Sequence, residues 1–387
     1  MKNDSKTPKR LTSNIIIICL TTLICTISLI FSSCNKDEDS QIVPASTFKN
    51  DVEKVLADKI EEFGIQGITA YIQNSKGEIC NTGIGLADSI NKIPMKYDTK
   101  IRIASISKTF LATVVLQLWE ENLLDIDNLM SEYLPDSIVS MFPYGAEVNL
   151  RQLLNHTSGI YDFEDDQFIG ILLSNPQHHW TPYELLLHAV NADLSVHHIP
   201  GELFSYSNTN YILLGLIVES VTDISLEKNI RDRVLTPLNL NNTYSGNEEI
   251  PQENYANGYV RLSETDVFIA NDQTLPLYFE WAHGQMVSTS EDLSIFFNSL
   301  LNGDLFKESA TLNEMINFTE LSQHSYGLGI SMFGDILGIG HNGSTVGFIS
   351  FAAINLEKNT TIILCYNDQD MSFTNEVLIA VTGLWEE

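Results

Sequence analysis

The stretch that decides the expected fold is Ile101–Glu121, IRIASISKTFLATVVLQLWEE. It opens with a short apolar segment and turns at Ser105, after which apolar residues recur at spacings of three and four. That spacing places them on one face of a helix. The face consists of Phe110, Leu111, Val114, Val115, Leu118 and Trp119. We therefore predict a strand-like entry, a turn at Ser105 and a long helix that ends near residue 122.

Ser105 and Lys108 lie three residues apart at the head of this helix, so one turn brings the ammonium group beside the hydroxyl. A serine hydroxyl is a poor nucleophile without an adjacent base, and a lysine partly stripped of water can be that base. The same spacing also occurs at Ser33/Lys36, Ser46/Lys49, Ser89/Lys92 and Ser225/Lys228. Because the Ser105 copy alone stands between a strand-like segment and a long apolar helix, we take Ser105 as the candidate nucleophile.

The composition is that of an acidic globular protein. The chain has 387 residues, of which 44% are hydrophobic, and its formal net charge is −29. Beyond residue 33 it carries 17 basic and 49 acidic side chains. This balance argues against nucleic acid or an anionic membrane surface as a partner, and it is compatible with a simple soluble acidic surface.

The first 33 residues have the features of an export signal. Lys2–Arg10 is basic, and Ile15–Phe31 is apolar and uncharged. Two serines then precede Cys34, which is similar to a lipoprotein signal whose cysteine is lipidated; an uncleaved anchor helix is the alternative. We expect residues 1–33 to be a signal peptide and residues 34–47 the lipidated cysteine and a tether. The protein is then anchored in the cell envelope, on the periplasmic side of the outer membrane or at the cell surface.

Two further cysteines, Cys80 and Cys365, lie in strand-like segments. They could pair in an oxidising compartment, or they could be two buried free thiols. Neither belongs to a CxxC spacing, so we predict no metal site.

The pattern of periodicity places strands near both ends of the chain. Strands are predicted at 67–73, 78–86, 335–340, 348–356 and 360–366, helices at 48–63 and 377–385, and short helices and loops between 125 and 292. A sheet made from both chain ends with a helical insertion is the economical architecture. We expect one domain at 48–387, with a sheet lobe of about 48–124 and 293–387 and a helical lobe of about 125–292.

Two more motifs carry groups suited to acyl-transfer chemistry. Tyr206-Ser207-Asn208 offers an amide and a phenol that, near a lysine, can exist partly as phenolate and relay a proton; a helix cap is the alternative. His341-Asn342-Gly343-Ser344 lies between two predicted strands, where glycine permits close approach and strand N–H groups can stabilise an oxyanion. The alternative for this second motif is a tight bend with an exposed histidine. The other histidines, including His178/His179 and His197/His198, look like surface or loop residues.

Taken in order, Ser105-x-x-Lys108, Tyr206-x-Asn208 and His341-x-Gly343 resemble the active-site motifs of the serine β-lactamase and penicillin-binding family. Three further stretches are similar to the same family: LLNHTSGI at 153–160, PGELFSYSNTNYILLGLI at 200–217 and GQMVSTSEDL at 284–293. The likeness runs from about residue 48 to the C-terminus. It implies an α/β (α+β) fold of the β-lactamase/transpeptidase type, with an antiparallel sheet, flanking helices and a helical lobe. The tyrosine version points to the branch of class C β-lactamases, DD-carboxypeptidases and esterases.

The resemblance also implies roles. Ser105 would be acylated, Lys108 and Tyr206 would handle its proton, and Asn208 would contact the substrate acyl amide. His341, Asn342, Gly343 and Ser344 would line the substrate strand, and the N–H groups of Ser105 and Ser344 would form the oxyanion hole. Histidine stands where many relatives keep lysine, and it is largely neutral near pH 7, so binding of a substrate carboxylate is weakened.

The function expected is therefore that of a cell-envelope serine hydrolase with an acyl-enzyme on Ser105. A DD-carboxypeptidase or D-amino-acid peptidase-like activity, or an esterase activity, comes first, and a β-lactamase is an alternative. A non-catalytic peptidoglycan binder or sensor of the same fold is another. A Ser-His-Asp hydrolase is disfavoured because no Gly-x-Ser-x-Gly elbow occurs. We expect a small acyl substrate or cell-wall peptide, a monomer, and no cofactor, metal or nucleic acid.

Overall fold

The computed structural model describes residues 48–190, 198–246, 249, 253–261, 267–270, 278–321 and 325–385. Its helices are α1 Phe48–Phe63, α2 Ser107–Glu120, α3 Asp136–Val139, α4 Leu150–Leu154, α5 Asp166–Ser174, α6 Pro182–Val190, α7 Asn208–Thr222, α8 Leu226–Ile230, α9 Ser290–Leu301, α10 Ser309–Met315, α11 Gly334–Leu337 and α12 Met371–Gly383. Its strands are β1 Gly67–Gln73, β2 Ile79–Asp88, β3 Ile93–Pro94, β4 Ile101–Arg102, β5 Gly258–Arg261, β6 Val267–Ala270, β7 Val287–Ser288, β8 Ser331–Met332, β9 Ile339–Thr345, β10 Phe348–Asn355 and β11 Thr360–Tyr366. The predicted signal peptide, Cys34 and the tether lie outside the described residues, as does His197.

Seven strands form one antiparallel sheet in the order β3-β2-β1-β11-β10-β9-β8. The N-terminal strand β1 pairs with the C-terminal strand β11, with Ile68 opposite Tyr366. The turn between β1 and β2 is closed by Asn74, whose Oδ1 accepts the N–H groups of Lys76 and Glu78. The prediction of a sheet assembled from both chain ends is therefore confirmed.

Hydrophobic cores cover the two faces of this sheet. Helices α1 and α12 pack on one face, and α2, α7 and α9 belong to the core on the other. Neighbouring residues of β11 point to opposite faces, as the pleat requires: Leu364 lies in the first core and Ile363 in the second. In the second core, Phe110 of α2 stacks on Phe296 of α9 with ring centroids 3.7 Å apart. The helix that carries Lys108 is thus anchored to the helix beneath the sheet.

Helix α7 is apolar and buried along most of its length. Its last turn ends at Asp223, which adopts the left-handed conformation with φ of 54°. Among the described residues, no single helix has the length and apolarity to cross a membrane, although α7 and Leu226–Leu235, bent by 79°, pass the same test as a pair.

Two predictions about strands are wrong. Strands do occur in the middle of the chain, because β5 pairs with β6 and β7 pairs with β4. The strand expected at 335–340 begins only at Ile339, since α11 occupies most of that segment and Gly338, with φ of 85°, ends it. A short apolar run does not distinguish one helical turn from a strand. His341 therefore lies inside β9, opposite Ala352 of β10, and not between two strands.

Cys80 and Cys365 are free and buried. They belong to the cores on opposite faces of the sheet, and β1 lies between their strands. Two strand spacings are about 9.6 Å, which exceeds the reach of a disulfide, about 7 Å between Cα atoms. The interpretation as two buried free thiols is therefore confirmed.

Candidate active site

Ser105 sits on a strained turn between β4 and α2. The residues Ala104–Ile106 form a 3₁₀ turn, and Ala104 adopts the left-handed conformation with φ of 48°. A non-glycine residue holds that conformation only where its surroundings impose it, which is common at active sites. The turn is tied to the sheet because the Ser350 hydroxyl donates to the Ile103 carbonyl at 2.7 Å. Ser105 itself is half-buried, whereas Ala104 and Ile106 are buried.

Lys108 is fully buried and contacts the candidate nucleophile. Its Nζ lies 2.9 Å from Ser105 Oγ and donates to the carbonyl of His283 at 2.7 Å. Burial lowers the pKa of Lys108 to about 7, although the negative charges of Glu164 and Asp162 act against the shift. A fraction of the lysine is therefore an uncharged amine at neutral pH, which can accept the Ser105 proton.

Tyr206 shares the same hydroxyl. Its phenol is hydrogen-bonded to Ser105, and Lys108 Nζ lies 5.1 Å from the centroid of its ring. Burial raises the pKa of Tyr206 well above its usual value. The expectation of a partial phenolate is therefore wrong, because desolvation of the phenolate outweighs the neighbouring lysine. Tyr206 is a neutral phenol that can relay a proton, and Lys108 is the candidate base.

Asn208 begins α7 and is held by two carboxyl groups. Its Nδ2 donates to Asp162 at 3.2 Å and to Glu164 at 2.9 Å, and its backbone N–H donates to Asp162 at 3.0 Å. Both side-chain donors are thus used within the protein, so Oδ1 is the atom left for the predicted contact with a substrate amide. The hydroxyl of Ser207, at the cap position of α7, makes no capping hydrogen bond. The alternative of a helix cap is therefore confirmed for the position of Ser207, which is the N-cap residue of α7, although the serine hydroxyl does not contribute to the cap.

Asp162 and Glu164 are functional candidates that sequence reasoning missed. Both are half-buried, and burial raises the pKa of each carboxyl. A third carboxyl, that of Glu280, is buried 3.6 Å from the Arg102 guanidinium, and burial raises its pKa to about 7. The signal in the sequence was the acidic run YDFED, which directly follows LLNHTSGI. The surroundings of Lys108 are therefore acidic, and the nearby arginine is already paired.

His341 is a buried, neutral histidine. Its Nε2 lies 2.9 Å from the Tyr326 hydroxyl, and its Nδ1 lies 2.6 Å from the carbonyl of Asn342. Nδ1 therefore carries the proton and Nε2 accepts from Tyr326. Burial, followed by the charge of Lys108, lowers the pKa of His341 to about 3. The alternative of a bend with an exposed histidine is wrong, and the site has no fixed positive charge at this position.

Gly343 is the point where β9 meets the nucleophile turn. A Cβ atom at this position would lie 2.9 Å from the Ser105 nitrogen and 2.4 Å from the Ile103 oxygen, so only glycine permits this approach. Asn342 and Ser344, on either side, are half-buried, in contrast to the buried His341 and Gly343. The strand therefore lies close enough to Ser105 for an oxyanion hole, and the roles of the Ser105 and Ser344 N–H groups stay a prediction.

Two histidines expected at the surface or in loops are buried near this site. His156 is 0% exposed and His283 is 3% exposed. Both lie in turns, so the expectation of loop residues is confirmed, but neither lies at the surface. Histidine is intermediate in burial preference, and a single sequence carries no signal for its burial. Among the described residues, no group of histidine, cysteine and acidic side chains is placed to hold a metal ion.

Comparison with known proteins places the chain in a family. A family model described as Beta-lactamase matches residues 52–381, so the chain belongs to the β-lactamase family. It is 27% identical over 320 residues to Protein flp of Staphylococcus aureus (strain NCTC 8325 / PS 47), covering 82% of this chain and 62% of that protein. It is 27% identical over 319 residues to a penicillin-binding protein of Bacillus subtilis (strain 168), covering 76% of this chain and 67% of that protein. The chain thus spans about 62% of the length of the first of these relatives.

Among solved structures, the fold is similar to that of the D-amino acid amidase from Ochrobactrum anthropi SV3 complexed with L-phenylalanine amide. The TM-score is 0.75 at 28% identity, with 88% of this chain and 99% of the amidase chain covered. The chain therefore belongs to the serine β-lactamase and penicillin-binding superfamily. The family membership predicted from the three motifs is confirmed, and so is the predicted fold class.

Proposed function

We propose that the chain hydrolyses amide or ester bonds of D-amino-acid derivatives through an acyl-enzyme on Ser105. One observation carries the proposal: a half-buried serine hydroxyl that is hydrogen-bonded both to Lys108 Nζ, at 2.9 Å, and to the Tyr206 phenol. A nucleophile flanked by a base of lowered pKa and a proton relay is what acyl transfer requires. A mere binder of the same fold has no chemical need for this arrangement.

The reaction would proceed in two halves. Uncharged Lys108 takes the proton from Ser105 Oγ, which attacks the carbonyl carbon while charge develops on the carbonyl oxygen beside β9. The tetrahedral intermediate collapses to the Ser105 ester when the leaving nitrogen or oxygen takes a proton that Lys108 and Tyr206 supply. Water then attacks the ester, the same groups accept its proton, and Ser105 is released with its hydroxyl restored.

The charges of the site favour a substrate without a carboxylate on its leaving side. His341 is neutral, and the Arg102 guanidinium lies beside Glu280, so neither provides a free cation for such a carboxylate. Burial raises the pKa of Asp162 only to about 6, so this side chain beside Asn208 is largely a carboxylate at neutral pH and would attract the α-ammonium group of an amino-acid amide or ester. Burial raises the pKa of Glu164 to about 8, so Glu164 is largely protonated there and adds little charge. The similarity to a D-amino acid amidase supports the same choice. A DD-carboxypeptidase or a β-lactamase would have to bind a carboxylate without this help.

A panel of substrates tests the proposal. We would measure kcat/KM for D-phenylalanine amide, its L-enantiomer, its N-acetyl derivative, an acyl-D-Ala-D-Ala peptide and a penicillin, with Ser105→Ala as the control. We expect the free D-amino-acid amide to be the best substrate and the Ser105→Ala variant to be inactive. Faster hydrolysis of the acyl-D-Ala-D-Ala peptide or of penicillin would overturn the proposed substrate class. Activity that survives in Ser105→Ala would overturn the proposed nucleophile.

We also propose that the protein is exported and lipid-anchored through Cys34. The proposal depends on the basic and apolar N-terminal pattern and on the two serines before this cysteine. Expression of the full chain with labelled palmitate, beside a Cys34→Ala variant, tests it. We expect the label in the membrane fraction and its loss in the variant, whereas label that persists in the variant would contradict lipidation at Cys34.

A further inference from the structure

His156 holds the backbone on both sides of Tyr206. Its carbonyl oxygen accepts the N–H of Ser205 at 2.9 Å. Its ring Nδ1 accepts the N–H of Ser207 at 3.1 Å. Ser205 and Ser207 directly flank the tyrosine in the sequence, so hydrogen bonds to one residue fix the segment that carries the phenol.

The ring of His156 also packs against the ring of Tyr206. The two ring centroids are 4.1 Å apart with an angle of 31° between the planes. His156 is completely buried, and the ring of Tyr326 contacts it as well, at 4.9 Å between centroids. Such ring contacts restrict the rotamer of the tyrosine in addition to its backbone. The phenol that meets Ser105 is therefore held at both its main chain and its ring.

The histidine itself is locked in one orientation. A backbone N–H cannot act as an acceptor, so Nδ1 must be unprotonated and the hydrogen must lie on Nε2. Asn210 Nδ2 also lies 3.3 Å from Nδ1, while Asn210 Oδ1 accepts from the Ser158 hydroxyl at 2.6 Å. Burial lowers the pKa of His156 well below its usual value, in agreement with a neutral ring. Its φ of 59° is left-handed, which indicates that the surroundings impose its position.

We propose that His156 is the residue that positions the Tyr206 phenol against Ser105, by accepting the two flanking N–H groups and packing on the tyrosine ring. The proposal rests on the acyl-enzyme chemistry proposed above. It assigns His156 no contact with the substrate and no proton transfer, so its effect must pass through Tyr206. This dependence distinguishes a positioning role from a general contribution to folding.

A double-mutant cycle tests this dependence. The variants are His156→Asn, Tyr206→Phe and the double variant. Asparagine tolerates the left-handed conformation and keeps an oxygen acceptor for the Ser207 N–H, but it removes the ring. One readout is kcat and KM on D-phenylalanine amide. The other is the rate at which a fluorophosphonate probe labels Ser105, a reaction in which the serine oxygen bonds to phosphorus and fluoride leaves as the displaced ion. His179→Asn, an exposed histidine stacked on Tyr278, is the matched control.

We expect His156→Asn to lower kcat and the labelling rate about 10- to 100-fold with little change in KM, because a displacement of about 1 Å has that effect. We expect less than about a 3-fold further loss when Tyr206 is already phenylalanine, because the group to be positioned is gone. His156→Phe, which keeps a ring but removes the Nδ1 acceptor, is expected to lose activity as well. The His179→Asn control should match the wild type.

The same fold-loss in the wild-type and the Tyr206→Phe backgrounds would overturn the positioning role and indicate a structural one. Melting temperatures of all variants identify any loss that is due to unfolding. The labelling rate depends on the nucleophile and not on the natural substrate, so it remains measurable if D-phenylalanine amide is not hydrolysed. If the proposed substrate class is wrong, the labelling experiment still tests the role of His156. If the proposed role of His156 is wrong, the substrate panel still tests the substrate class.

Discussion

Replacement of Gly343 by alanine tests the contact between β9 and the nucleophile turn. The added Cβ would lie 2.4 Å from the Ile103 oxygen, 2.7 Å from Ser350 Oγ and 2.9 Å from the Ser105 nitrogen. Real Cβ atoms essentially never come closer than 3.0 Å, so strand and turn must separate by at least the 0.6 Å that is missing at Ile103. Two of the three clashing atoms belong to the backbone, so a side-chain rotation cannot relieve the contact.

This displacement changes the positions of both the Ser105 nucleophile and the predicted oxyanion hole. A misplacement of about 1 Å costs on the order of 100-fold in rate, and we expect a loss of that size in kcat. Overpacking of a tight site costs about 1–3 kcal/mol, and the hydrogen bond from Ser350 to Ile103 is disturbed as well. We therefore expect a reduced free energy of unfolding together with the fall in kcat.

The assay is steady-state kinetics on D-phenylalanine amide beside urea unfolding. Gly170→Ala on α5 is the matched control, because a Cβ there meets nothing within 4 Å. Alanine is about 1 kcal/mol better than glycine within a helix, so the control should be as active as the wild type and no less stable. A Gly343→Ala variant with wild-type kcat and stability would refute the close approach of β9 to Ser105.

Three further perturbations follow from the same geometry. Because burial lowers the pKa of Lys108 to about 7 and the uncharged amine is the base, kcat/KM should rise with pH through about 7 and then level off; a profile flat from about pH 6 to 8 would contradict this. Ser107→Ala removes the hydroxyl that accepts the Met286 N–H at 3.2 Å. The free energy of unfolding in urea should therefore fall by about 1–3 kcal/mol while turnover is largely kept. A folded but inactive Ser107→Ala variant would show that Ser105 was wrongly assigned as the nucleophile. Phe110→Ala leaves a cavity beside Phe296 and should cost about 3–5 kcal/mol of unfolding free energy, and a cost below about 1 kcal/mol would contradict the packing of α2.

Much of the fold was predictable because its signals are local. The 3–4 spacing after Ser105 identified α2, and the strand-like periodicity at 67–73 and 78–86 identified β1 and β2. The start of β9 was not predictable, since a single helical turn between glycines has no periodicity of its own. Small hairpins such as β5 and β6 were missed among the helices for the same reason.

The candidate site was predictable where chemistry follows a fixed spacing. Ser105 and Lys108 lie one turn apart and do contact each other, whereas the contact between Tyr206 and Ser105 depends on tertiary folding. The state of each group was harder to foresee. Burial keeps Tyr206 a neutral phenol, and His156 is buried against the ring of the same tyrosine. Burial depends on the packed core, so a short sequence motif does not predict it.

Tandem mass spectrometry that locates the covalent label of a fluorophosphonate probe tests directly whether Ser105 is the nucleophile. We expect a single modified residue, Ser105, in the wild type and in Ser107→Ala. We expect no labelling of Ser105→Ala and slow labelling of Lys108→Arg, whose guanidinium cannot give up its proton to become a base. A label on Ser107 or Ser344, or a wild-type labelling rate in Lys108→Arg, would contradict the central claim that Lys108 activates Ser105.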